Sequence, residues 1–392
     1  MLWFVVVLAG VKIAHQMGVF QDPSKLPEYQ SRPDQCRVLP GTESLSFEDF
    51  RFVSENVILL SSGEVLKFYA DGFNSVQKGA LYAVDLKSEE LQRLDLGLPS
   101  NSDFLPHGLN VAGNEVLVVN HAAKEDRIEH FLLHRDNSSK TIRLQWTKSR
   151  SLLGMIPHAS ANSVTRAGED VYITTWLGGN GGLPNGAEHP PTTWLGIQFK
   201  LVFVWNYLIT PAFPGLRTVW PTFVLRCRDH EDQCTVAASG FGSSNGITSS
   251  MDGKLVFVID FPVRQLVVFD RDASTGALTK RTSHVLPSYA DNIMLAKQVG
   301  GKYELHMGVV VDFATYIVRL VTKNEHPPAA NGLLVVEFDP ITNQFTHKHK
   351  FVHDGSLLHS SSAATIWGGN RVLLSSPALH SGLLICETQY NV

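Results

Sequence analysis

The stretch "SSNGITSSMDGKLVFVID", residues 243–260, carries the reading of the fold. Asp252-Gly253 is a strong hairpin-turn signal, and the β-branched run "LVFVID" behind it is a strand. The front end departs from that grammar. Asn245 stands directly before Gly246 and the apolar Ile247, where a core-directed residue belongs. The same pattern recurs in "EDFRFVSENVILLSSG" from Glu48, "HGLNVAGNEVLVVNH" from His107, "NSVTRAGEDVYITTW" from Asn162, "DNIMLAKQVGGKYELHMG" from Asp291 and "SSAATIWGGNRVLLSSP" from Ser361. Each unit opens polar, runs apolar, turns on Gly, Asn or Asp, and returns as a strand. Units of roughly 45–60 residues, each too small to bury its own apolar face, call for a stacked or radial assembly. A strand-rich unit of this length matches one four-stranded propeller blade. The expected fold is all-β, a six-bladed β-propeller.

In such a ring the innermost strand of every blade begins near the central axis. Glu48, Asn162, Asn245, Asp291 and Asn292 open those strands and are therefore expected to converge. All five are oxygen donors and none is a cysteine. Carboxylates and amide carbonyls arriving from several directions suit a hard cation, and six to eight oxygens at about 2.3–2.6 Å describe calcium. The competing account is that Asn and Asp stand at turns because their side chains bond nearby backbone. Five such residues at equivalent points of a repeat favour the metal.

The chain has 392 residues and a net charge of −4, with 18% charged residues. That is enough for one large β domain and offers no basic face, so nucleic acid is not an expected partner. No P-loop, dinucleotide fingerprint or zinc-type Cys/His spacing is present. Residues 1–20, "MLWFVVVLAGVKIAHQMGVF", hold an apolar run too short to span a bilayer. It reads as a signal peptide cleaved near Ala14 or as a retained apolar anchor helix, with residues 30–392 forming the propeller. The interval from Asn162 to Asn245 is the longest and must hold an insertion, placed at about 178–222. Within it, "WLGIQFKLVFVWNYLI", residues 194–209, carries a single charge at Lys200. This segment is expected to roof a pocket as a lid or to lie in a lipid interface; a buried strand or helix is the alternative.

Four cysteines fit an exported chain. Cys36 and Cys386 lie near the two ends, and a bridge between them would clasp the first and last blades. Cys227 and Cys234 flank "RDHEDQ" and suit a local pin. Free buried thiols are the alternative for both pairs. The sequon at Asn137 is a glycan acceptor if the chain is secreted.

"GTESLSFED" at 41–49, "FLPHGLN" at 104–110, "LVVNH" at 117–121, "SNGI" at 244–247, "DNI" at 291–293 and the closing Cys386 stand in one order along the chain. In these motifs the sequence resembles the serum paraoxonase/arylesterase family, six-bladed calcium-dependent lactonases and esterases. The resemblance implies that the catalytic calcium is held by Glu48, Asn162, Asn245, Asp291 and Asn292, the five residues already singled out. It implies a second, structural calcium at Asp49, the carbonyl of Leu109 and the position of Ser163, where the family carries an aspartate. Loss of that carboxylate weakens the expected second site, since affinity follows ligand charge. "TTW" at 174–176 likewise departs from the polar pair expected beside the family's pocket. The family's histidine dyad falls on His107 and His121, with His107 as general base and His121 supporting it.

The function expected is a secreted calcium-dependent hydrolase of lactones and aryl esters, in which water attacks a carbonyl and no nucleophilic serine is needed. The one Gly-x-Ser-x-Gly match, "GSSNG" at 242–246, leads into a strand–turn–strand and not into a helix, so it does not read as a nucleophile elbow. The alternative is a non-catalytic, calcium-stabilised propeller that binds a hydrophobic ligand or a lipid surface.

Overall fold

A computed structural model of the chain describes residues 23–26, 29–30, 35–71, 75–136, 141–156, 158–176, 222–231, 233–313, 315–316, 328–378 and 381–388. Most of them lie in six antiparallel sheets, which follow one another in chain order. Blade one is Phe47–Ser54, Val57–Ser62, Ala80–Asp85 and Glu90–Arg93. Blade two is Pro106–Ala112, Glu115–His121, Asp126–Asp136 and Thr141–Ser151. Blade three is Ala161–Ala167, Asp170–Thr175, Thr222–Arg228 and Thr235–Phe241. Blade four is Ser244–Ser249, Leu255–Asp260, Gln265–Arg271 and Leu278–Val285. Blade five is Tyr289–Val299, Lys302–Val310, Asn331–Asp339 and Gln344–His353, with Tyr29–Gln30 added parallel to its outer edge. Blade six is Ala363–Trp367, Arg371–Ser375 and Leu384–Glu387.

The sixth blade takes its outermost strand, Cys36–Val38, from the other end of the chain, with Cys36 directly opposite Cys386. The two cysteines are bridged across 350 residues, and Cys227 is bridged to Cys234. The expected clasp between first and last blades is thus displaced by one strand. The bridge lies inside blade six, because the strand leading into blade one completes the last sheet and closes the ring. Each innermost strand touches the next around the circle, and the sixth touches the first. The core sits in the seams between blades; Phe257, Tyr303 and Phe338 fill one, and Leu59, Leu81, Leu109 and Val118 another. Closing the ring buries the sheet faces that an open stack would expose at its two ends, leaving only the short edges of each blade.

The insertion expected at about 178–222 falls between the second and third strands of blade three. Residues 177–221, and with them the proposed lid, lie outside the described residues, which resume at Thr222. The N-terminal apolar segment and Asn137 lie outside them as well. Among the described residues no helix is long and apolar enough to cross a membrane.

Candidate active site and cation centre

The polar openings of the inner strands have a common structural cause. In blade one the pairing passes from Phe47↔Ser62 to Asp49↔Ser61, which leaves Glu48 extra. In blade two it passes from Pro106↔Asn120 to Leu109↔Val118, so His107 and Gly108 share one partner position. The same shift lies between Ala161 and Val164, between Ser244 and Ile247, and between Ala290 and Ile293. These are β-bulges, which leave one residue unpaired and re-aim its side chain. Five blades therefore carry a bulge at the very residues singled out in the sequence. The first two strands of blade six pair from Ala363↔Ser375 to Trp367↔Arg371 without one. Asn245 is polar at the mouth of a buried strand because the bulge takes it out of the apolar alternation.

Two glycines allow the bulges to approach one another. A Cβ on Gly246 would lie 2.5 Å from the Asp291 carbonyl oxygen and 2.7 Å from the Ile293 nitrogen. A Cβ on Gly108 would lie 2.6 Å from the Asn162 carbonyl oxygen. Backbone cannot yield as a flexible side chain can, so glycine is required at both places.

Around the axis, Asn292 Nδ2 donates to Glu48 Oε1 at 2.8 Å and to the Glu48 carbonyl oxygen at 3.1 Å. Ser362, from blade six, donates to the same carbonyl and thus supports the site from behind. Glu48 Oε2, Asn162 Oδ1, Asn245 Oδ1 and Asn292 Oδ1 are all buried and have no hydrogen-bond partner. An orphaned buried acceptor ordinarily costs about 1–3 kcal/mol, so four at one centre call for a common partner. Asp291 keeps partial exposure, but burial of its carboxyl and the nearby Glu48 charge push it well above the usual carboxylate range, against a hydrogen bond from Asn245. Two like charges and several orphaned oxygens, all hard donors, fit a hard cation such as calcium. Among the described residues no three His, Cys, Asp or Glu side chains gather as a metal cluster. The pentad has only two carboxylates, and its other donors are amides.

The histidines stand beside this centre. His107 Nδ1 and His121 Nε2 are 2.8 Å apart, and His107 Nε2 is 3.2 Å from Glu48 Oε1. Behind them lies a residue that the sequence reading missed. Asp126 Oδ1 is 2.8 Å from His121 Nδ1, and the Asp126 carboxylate accepts the N–H groups of Ala159, Ser160 and Ala161 at 2.8–3.0 Å. Burial opposes the Asp126 anion, yet His121 and these N–H groups hold its carboxyl below the usual range. His121 is held below the ordinary imidazole value by burial, with Asp126 partly offsetting the effect. Assigned from this network, His121 Nδ1–H donates to Asp126 and its Nε2 accepts from His107 Nδ1–H. That leaves the lone pair on His107 Nε2 facing the centre. The signal for Asp126 was in the register: it pairs directly with His121 across the hairpin that follows the histidine.

Tyr69 and Trp176 were missed too. The helix Val65–Asp71, between the second and third strands of blade one, stacks Phe68 on His121 with ring centroids 5.4 Å apart. It also places Tyr69 Oη 3.1 Å from His121 Nε2. Trp176 Nε1 donates to Tyr69 Oη at 3.1 Å and packs edge-on against its ring. Burial, reinforced by the Asp126 charge, raises the Tyr69 phenol well above its ordinary value, so it stays a neutral O–H. The "TTW" departure thus places an aromatic wall over the dyad. No local pattern in "EVLKFYAD" announces that contact.

The expected second cation site is built differently. Asp49 is fully buried, but both its oxygens are engaged, by Arg51 and the Phe50 N–H on Oδ1 and by the Leu109 N–H on Oδ2. Ser163 lies beside Gly108, and its hydroxyl oxygen is buried without a partner. Burial pushes the Asp49 carboxyl up to about 7, with Arg51 pulling against it.

Comparison with known proteins extends the resemblance. The family model described as "SMP-30/Gluconolactonase/LRE-like region" matches residues 223–293, which include Asn245, Asp291 and Asn292. The chain is 24% identical over 367 residues to serum paraoxonase/arylesterase 1 of Homo sapiens, covering 90% of this chain and 88% of the relative. Against serum paraoxonase/arylesterase 2 of Gallus gallus the identity is 25% over 383 residues, covering 93% and 90%. Serum paraoxonase/lactonase 3 of Oryctolagus cuniculus is 23% identical over 355 residues, covering 86% and 85%. Along about nine-tenths of its length, the chain resembles the serum paraoxonase/arylesterase family.

Proposed function

We propose that this protein is a calcium-dependent hydrolase of lactones and aryl esters. The observation that carries the reading is the ring of four orphaned buried oxygens at the bulges of blades one, three, four and five, with His107 Nε2 facing it. Glu48, Asn162, Asn245, Asp291 and Asn292 would hold the ion. Calcium, when bound, supplies polarisation of a carbonyl oxygen and charge neutralisation as an oxyanion develops. The chain's own groups handle the proton. His107 Nε2 takes it from a water in the space it shares with Glu48. His107 then carries positive charge, which His121 accepts in part through the 2.8 Å contact and Asp126 stabilises from behind. Tyr69, Phe68 and Trp176 exclude bulk water from the dyad and present an apolar wall to the acyl or aryl part of a substrate. This division of labour needs no covalent intermediate on a serine.

We further infer export from the cell. All four cysteines are in disulfides, which suits an oxidising compartment. The apolar segments at 1–20 and 194–209 would then serve export and docking to a lipid surface. The test is a panel of lactones and aryl esters assayed with calcium and after chelation. Turnover that vanishes with chelation and returns with calcium is expected. A protein that binds calcium yet hydrolyses nothing on the panel is instead the non-catalytic propeller.

A further inference from the structure

Glu48 and Asp49 are adjacent, and their carboxylates meet opposite environments. One Glu48 oxygen is orphaned, whereas Asp49 has a cation already, supplied by the chain. Arg51 Nη1 is paired with Asp49 Oδ1 and donates to the Phe50 carbonyl at 2.8 Å, and Nη2 reaches the Ile293 carbonyl of blade five at 3.2 Å. Arg51 is only 7% exposed. Asp49 Oδ2 meanwhile accepts the Leu109 N–H of blade two at 3.0 Å. The Arg51–Asp49 pair therefore ties blades one, two and five together near the axis, the cross-linking that a structural metal would otherwise provide. The third expected donor, Ser163, is a neutral hydroxyl, so Asp49 is the sole carboxylate of the set. A divalent ion placed there would face a guanidinium and a carboxylate whose oxygens are already engaged.

We propose that Arg51 replaces the second calcium, so that the protein carries a single calcium ion and an internal guanidinium in the structural position. This rests on the calcium reading of the central site, and the experiment separates the two. Calcium is counted by atomic emission on wild-type protein after gel filtration in calcium-containing buffer. One equivalent per chain is expected, lost in Asp291→Asn and retained in the Asp49→Asn/Arg51→Met double variant. Two equivalents overturn the inference and leave the central site standing. One equivalent lost in the double variant but kept in Asp291→Asn overturns both. None at all sinks the central reading, while the exclusion of calcium at Asp49 stands. Melting temperatures at saturating calcium give the second readout. Asp49→Asn and Arg51→Met should each lower the melting temperature, and the double variant should lose less than the two singles summed. If Arg51→Met alone does not fold, the double variant, which leaves no unpaired charge, still reports. Its rise in melting temperature on adding calcium should equal that of wild type; a smaller rise overturns the proposal.

Discussion

Blades one to five and blade six are built from the same strand grammar and do different work. Each of the five begins its inner strand with a bulge that turns Glu48, His107, Asn162, Asn245 or the Asp291–Asn292 pair out of the sheet. Blade six pairs without a shift at that point, offers Ser362 as a prop for Glu48, and closes the ring through Cys36–Cys386. A regular hairpin alternates its side chains between the two faces and so cannot aim a polar residue along the axis. One extra residue supplies that freedom at the cost of a ladder bond. The molecule thus separates a mouth that gathers polar side chains from a seam that holds the circle.

The largest expected effects are at the mouth. Asp291→Asn or Asn245→Ala should abolish turnover, and Gly246→Ala should do so by forcing blades four and five apart. Chelation should also lower the melting temperature, since an ion at 100-fold its dissociation constant contributes about 2.7 kcal/mol. Variants with wild-type turnover after chelation would break the comparison at its root.

His107→Gln should reduce turnover of aliphatic lactones by about 10²–10⁴, the range for losing acid–base catalysis, with calcium affinity unchanged. Aliphatic lactones are the discriminating substrates because their alkoxide leaving groups are poor. His121→Gln should cost less, since it supports the base without taking the proton from water. Wild-type turnover by His107→Gln with calcium bound rules out the base.

A pH profile sharpens the same point. Because burial holds His121 below its ordinary 6.5, its neutral form persists in the fold at pH values where a free imidazole would charge. The support that neutral His121 gives the base should therefore persist down to about pH 6.5 and be lost only below it. Stability moves in the same direction. The unfolded chain binds more protons at this residue than the folded one, so stability present above pH 6.5 is lost as pH falls. Asp126 adds to that loss at lower pH, its folded carboxyl being held below the unfolded value. An acid limb well above pH 7 would show that another group controls the rate.

The smallest effect on turnover is expected at the seam. Cys36→Ser/Cys386→Ser should leave kcat/KM near wild type at 25 °C while removing about 2–5 kcal/mol of stability, read by denaturant titration. Loss of activity without loss of stability there would erase the distinction between mouth and seam.

The sequence by itself determined the six-fold repeat and the polar residues that open its inner strands, because turn chemistry and polar strand openings are local and recur at each unit. Within a repeat, equivalent positions must converge, so "SNGI" and "DNI" could be joined without coordinates. What only the tertiary structure decided lies in contacts between unlike elements. Arg51 on Asp49, Tyr69 over His121, and Trp176 on Tyr69 join segments that no periodicity relates. The closing strand at Cys36 reads from the sequence as a clasp between two blades, but ring closure places it inside one. Local patterns fix where a strand turns; which side chain neutralises a buried charge depends on what the packed ring brings within reach.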